Sequence, residues 1–166
     1  MTKNILKYAT LILTLLALAA CGGGTTDTTK PTATFKISLN GTLPTGTAIS
    51  GAVFTLTLPD NVIPELVSGA VADSVVTPSG VFAGGVLIPV VYKEATAYAP
   101  GMLVIGLASA ATTGVAETGE VATVTLRLAN SAAPTADSFT LDQAATDLSG
   151  KVVSGLNATV SGMTLQ

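Results

Sequence analysis

The chain has 166 residues, 48% hydrophobic and 10% charged, with one cysteine and neither histidine nor tryptophan. That length suits one domain behind a targeting segment, and the residue types present exclude Ser-His-Asp and Cys-His catalysis and a Cys/His zinc site. Seven bases face ten acids without any basic cluster, which argues against nucleic acid as a partner. The first element is MTKNILKY followed by an apolar run over residues 9–20. Lys3 and Lys7 give it a positive start, and Ala19 and Ala20 end it. The run is well short of the ~20 residues a membrane-spanning helix needs. This is the layout of a secretory signal peptide, over residues 1–20.

Leu18, Ala19 and Ala20 lead directly into Cys21, the one thiol in the chain. These four residues resemble the lipobox of bacterial lipoproteins. The resemblance implies that Cys21 is the lipidation site: its sulfur carries diacylglycerol, the signal is cut just before it, and the new amine is often acylated too. Two or three acyl chains anchor stably where one does not, since each buried CH₂ contributes roughly 0.8 kcal/mol. Cleavage near Ala20 with a free thiol left over is the ordinary alternative. Gly22 in place of an aspartate leans toward the outer membrane, if the cell is Gram-negative. Residues 21–33 are rich in Gly and Thr without apolar periodicity and read as a lipid-anchored flexible linker. Beyond the signal, five bases face ten acids.

From residue 34 alternation takes over. Phe35, Ile37 and Leu39 share one side of a strand that closes at Asn40 and Gly41. In GAVFTLTLP, Ala52, Phe54, Leu56 and Leu58 alternate with Val53, Thr55 and Thr57. Residues 62–76 allow a short helical turn and then a strand. VLIPVVY, residues 86–92, is interrupted by Pro89, which marks an edge strand or a bulge. MLVIGLA, residues 102–108, has the branched density of a buried strand. EVATVTLRLAN is the cleanest strand, with Ala122, Val124, Leu126 and Leu128 inward and Val121, Thr123, Thr125 and Arg127 outward. Arg127, so placed, is expected to be exposed and to tolerate alanine. SFTLD puts Phe139 and Leu141 inward, and one or two closing strands place Leu156, Ala158 and Val160 on one face. About eight or nine short strands without sustained helical periodicity predict an all-β, antiparallel β-sandwich.

The segment order resembles a cohesin domain, the sandwich module that docks dockerins in cellulosomes. GAVFTLTLPDNVIPELVSG, GMLVIGLASA, TGEVATVTLRLAN and SFTLDQAATDLSGKVVSGLNATVSG carry the resemblance. Gly119, Val121, Ala122, Val124 and Leu126 fill the places of the family's hallmark strand, with Leu126 where an aromatic is common. The resemblance implies a cohesin-like jelly roll over residues 34–166. It also implies a non-catalytic binding module whose partner is a protein, a dockerin-bearing one among the options. The related sandwich modules that bind carbohydrate leave an alternative open, polysaccharide recognition or breakdown.

Candidate chemistry is sparse. Glu117 with Glu120, and Asp142 with Asp147, are the carboxylate pairs that a glycoside hydrolase would require, but acids in such loops are ordinarily solvated. DQAATDLSG lacks the spacing of an EF-hand calcium loop. No catalytic residue, cofactor or metal site is therefore expected. For a sugar ring, Tyr92 and Tyr98 are the aromatics able to reach the surface; Phe35, Phe54, Phe82 and Phe139 fit inward positions. The chain is thus expected in the cell envelope, held to the membrane through acylated Cys21.

Overall fold

The computed structural model describes residues 30–166. The signal segment, Cys21 and most of the linker lie outside the described residues. In chain order the strands are β1 (Thr32–Gly41), β2 (Ile49–Leu58), β3 (Val62–Ile63), β4 (Leu66–Val67), β5 (Ala70–Val71), β6 (Val76–Pro78), β7 (Val86–Lys93), β8 (Gly101–Ala108), β9 (Gly119–Leu128), β10 (Thr140–Asp147) and β11 (Leu156–Leu165). Short 3₁₀ turns occupy Gly80–Phe82 and Ala136–Ser138. β1 starts at Thr32, so the last two residues read as linker are already in the sandwich.

The strands form two main antiparallel sheets. The first runs β11-β1-β9-β3, with β6 also paired to β9 beyond β3. The second runs β10-β2-β8-β7. Period-two patterning explains why they face each other. Ala33, Phe35, Ile37 and Leu39 of β1 and Ala122, Val124, Leu126 and Leu128 of β9 point at Phe54, Leu56, Leu103, Ile105 and Leu107 of the second sheet, and all are buried. Burying each large apolar side chain contributes about 1.5–3 kcal/mol. Phe35 and Phe139 meet across the core with centroids 4.8 Å apart and planes tilted by 46°. No polar or charged residue is fully buried among the described residues. Among the described residues, every fully buried hydrophobic side chain lies between Ala33 and Val153.

The two long sides of the sandwich differ. On the β10–β11 side the sheets are laced together. Gln143 Nε2 donates to the Leu156 carbonyl at 2.8 Å, and the Val153 amide donates to the Ala145 carbonyl at 2.8 Å. On the other side, β7 is the edge strand of the second sheet, and β5 and β6 lie against it. The excursion between β3 and β6 folds into the β4–β5 hairpin, whose Ser68 and Gly69 have φ of 53° and 84°. Two successive positive φ values are what a two-residue type I′ loop needs.

Several expectations change in detail. Residues 62–76 hold no helical turn; Val62 and Ile63 pair instead with Leu128 and Arg127. Val121, expected outward, is buried, because β9 carries one extra residue against β1 between the Ile37–Ala122 and Ser38–Glu120 pairs. That bulge turns two successive side chains inward. β10 extends to Asp147 rather than ending near Asp142. The closing segment contributes one strand, β11, which bulges at Gly162 with φ of 61°. Pro89 behaves as read: β7 is an edge strand, and its register with β8 shifts between Ile88 and Val91.

Candidate functional site

The outward side chains of the second sheet can be read across the strands from their registers. One row is Thr146, Gly51, Ala108 and Val86; the next is Ala144, Val53, Gly106 and Ile88; then Asp142, Thr55, Val104 and Val91; then Thr140, Thr57, Met102 and Lys93. The middle of this face is aliphatic and made of small or β-branched residues, while polar groups collect at the β10 side and at the last row. Val53, Val86, Ile88 and Val91 are 44, 61, 49 and 51% exposed. Gly106 sets the relief. A Cβ there would lie 2.9 Å from Ile88 Cδ1 and 3.0 Å from Ile88 Cβ, so its absence lets Ile88 lie down over β8. A flat aliphatic patch with a polar rim is the anatomy of a protein interface.

The outward face of the first sheet is chemically different. Its rows read Thr164, Thr34 and Thr125; Ser161, Lys36, Thr123 and Thr77; Thr159, Ser38 and Glu120. These side chains bond to one another. Thr34 and Thr125 hydroxyls are 3.1 Å apart, Ser79 and Thr123 hydroxyls 3.3 Å, and Asn40 Nδ2 donates to Thr159 Oγ1 at 2.9 Å. Lys36 forms an ion pair with Glu120.

Of the four carboxylates singled out in the sequence, Glu120 and Asp147 have structural partners, while Glu117 is exposed in the loop before β9. Lys36, followed by Ser79, holds Glu120 below the usual carboxylate range by hydrogen bonding to its charged form. Asp147 is lowered chiefly by the Ser149 hydroxyl and then by the Lys151 amide, at 2.7 Å and 3.0 Å. It closes the turn after β10, with the Ser149 amide also donating at 2.8 Å. Asp142 stands on the outer face of the second sheet, beside Thr55. Among the described residues no three metal-ligating side chains cluster.

Tyr98 is fully exposed, in the loop between β7 and β8 that the Thr96–Ala99 bridge closes. Tyr92, on β7, is half-buried and packs against the core. Burial first, and then the charge of Glu94, push its hydroxyl above the usual tyrosine range. Cys21 lies outside the described residues. Arg127 is on the outward side of β9 as read but is half-buried rather than exposed, and its Nε has no contact with solvent. It lines a depression with Ile63, Pro64, Leu66, Tyr92 and Glu94.

The sequence reading set Val53 outward with Thr55 and Thr57 but passed over Ile88, Val91, Val104 and Gly106 as surface residues. Their signal was present: on these strands the positions facing outward carry Val, Ile or Gly where those of β1 and β9 carry Thr, Ser or Lys.

No family model matches the chain, and no curated protein matches it. Among solved structures it is similar to a non-cellulosomal cohesin from the hyperthermophilic archaeon Archaeoglobus fulgidus. The two share 13% identity over 72% of each chain, with a TM-score of 0.44. The sandwich architecture itself stands on the strand registers of this chain.

Proposed function

We propose that the protein is an envelope-anchored lipoprotein whose sandwich is a non-catalytic module that recruits a protein partner. The observation that carries this reading is the aliphatic outer face of the second sheet, centred on Val53, Gly106 and Ile88. Open β-branched side chains on a sheet that already buries its other side gain from being covered, at about 25 cal/mol per Å² of apolar surface removed from water. The cohesin resemblance of the sequence adds a dockerin-bearing protein to the candidate partners. Cys21 supplies the anchor, and Gly22 favours the outer membrane in a Gram-negative cell.

The experiment has two arms. Metabolic labelling with an alkyne fatty acid should mark the wild type and not Cys21→Ser; equal labelling would remove the anchor. Affinity isolation with residues 22–166 should return a protein that Val53→Glu no longer retains. Retention by the glutamate variant would remove the face from the reading.

One observation favours the carbohydrate alternative: Tyr98 offers a whole ring to solvent, and aromatic faces stack on sugars. Affinity electrophoresis on soluble polysaccharides decides it. Retardation that Tyr98→Ala abolishes would replace the protein partner by a glycan.

A further inference from the structure

The outer face of the second sheet has a charge pattern as well as an apolar centre. Two charged residues stand in its four rows, and they stand on opposite edge strands: Asp142 on β10, in the third row, and Lys93 on β7, in the fourth. Both are exposed. Three strand spacings of ~4.8 Å each keep them from meeting within one copy, and neither takes part in an ion pair among the described residues. An acid on one edge, a base on the other and an uncharged middle make a surface that complements itself when turned over.

Bulk is divided across the face in the same way. In the second row β10 carries Ala144 and β2 carries Val53, while β8 carries Gly106 and β7 carries Ile88. Sheets packed face to face keep their strands within about 30° of each other at a spacing of ~10 Å. A two-fold axis along the strands, between β2 and β8, sets β10 of one copy over β7 of the other and β2 over β8. Ala144 then lies over Ile88 of the second copy, and Val53 over Gly106 of the second copy, so a small residue meets a branched one at both places. Asp142 comes within one row of Lys93 of the second copy, inside the reach of a lysine side chain, and symmetry forms that pair twice. A two-fold axis across the strands puts Asp142 over Ala144 and Lys93 over Val86 of the second copy instead. That arrangement leaves all four charges covered and unpaired, which is costly.

We infer that this face binds a second copy of the same chain, in a dimer whose two-fold axis runs along the strands and whose Asp142 and Lys93 pair across the interface. The inference rests on the protein-binding reading above and names the partner. Size agrees with it. Four strands at ~4.8 Å and eight residues at ~3.3 Å give a face of roughly 500 Å², so two copies cover about 1,000 Å² between them, where specific interfaces begin. The contact is isologous, so it closes at two copies.

The test uses the full chain in its own cells, with a photo-crosslinking residue in place of Thr57, at the rim of the face, where it displaces nothing from the aliphatic middle. The expected product is an adduct of twice the chain's mass that contains peptides of this chain alone. Asp142→Lys and Lys93→Glu, each by itself, set like charges against each other and should lower the yield of that adduct by about tenfold or more. The two variants produced together in one cell should restore it, because the lysines of one copy then face the acids of the other; this recovery also shows that both variants fold. Adducts with a different protein alone would overturn the inference and leave the protein-binding reading standing, whereas no adduct at all would overturn both. Mixed variants that crosslink no better than either variant alone would overturn the dimer as built.

Discussion

The two outer faces of this sandwich start from the same backbone geometry and end as opposites. On the first sheet, Thr34 and Thr125, Ser79 and Thr123, and Lys36 and Glu120 satisfy one another across strands. On the second, Val53, Val86, Ile88 and Val91 have no polar side-chain group to satisfy and stand open. Inward, the sheets are alike, with alternating Leu, Ile, Val and Phe on both. The core therefore accounts for folding on both sides equally, and the difference outside is left to explain function. A face that bonds to itself and to water has little to gain from a partner; a bare aliphatic one gains by being covered.

If the inner faces are equivalent, matched truncations should cost alike. Leu126→Ala on β9 and Leu56→Ala on β2 should each lose about 2–5 kcal/mol in urea melts. A loss on one sheet only would break the equivalence. On the outer faces, binding should separate the sheets where stability does not. Ile88→Asp is expected to weaken partner binding by about 2 kcal/mol or more, as the loss of a central contact does, whereas Thr34→Val should leave binding unchanged. Calorimetry with the isolated partner checks both.

Smaller effects sharpen the contrast. Gly106→Ala must displace Ile88 and is expected to cost about 1 kcal/mol; Ile88→Ala in the same chain should recover part of that loss, and a double-mutant cycle reads the coupling. The smallest effect is electrostatic. Because Lys36 lowers the Glu120 pKa, this pair adds stability above the ordinary glutamate pKa, and that stability is lost as the pH falls through the lower folded value. Lys36→Met should raise the Glu120 titration midpoint, followed by carboxyl carbon NMR, and flatten this acid limb. An unmoved midpoint would show that the ion pair is not formed in solution.

The long strands were legible because their alternation is strict. β1, β2 and, past its bulge, β9 keep apolar residues on every second position, and burial follows that pattern, while β8 was legible from its dense run of apolar residues. β10 was truncated in the reading because its second half, Gln143 to Thr146, has little intrinsic strand preference; pairing with β2 imposes the conformation. Val121 was misplaced because a bulge breaks the period without leaving a glycine or proline to mark it. Arg127 was assigned to the correct side of β9 but not to the depression it lines, since the other lining residues come from β7 and the β3–β4 segment, far away in sequence. The aliphatic outer face was hidden for a different reason. Hydrophobic alternation separates inward from outward, but which outward residues stand together depends on the strand order 10-2-8-7, which no local pattern contains.

The most direct measurement places a photo-crosslinking residue at Val53, and separately at Thr34, in the protein carried by its own cells. The account predicts a discrete protein adduct from position 53 that disappears when Ile88→Asp is added, and none from position 34. Adducts from position 34 that match those from position 53, or no adduct from position 53, would contradict it.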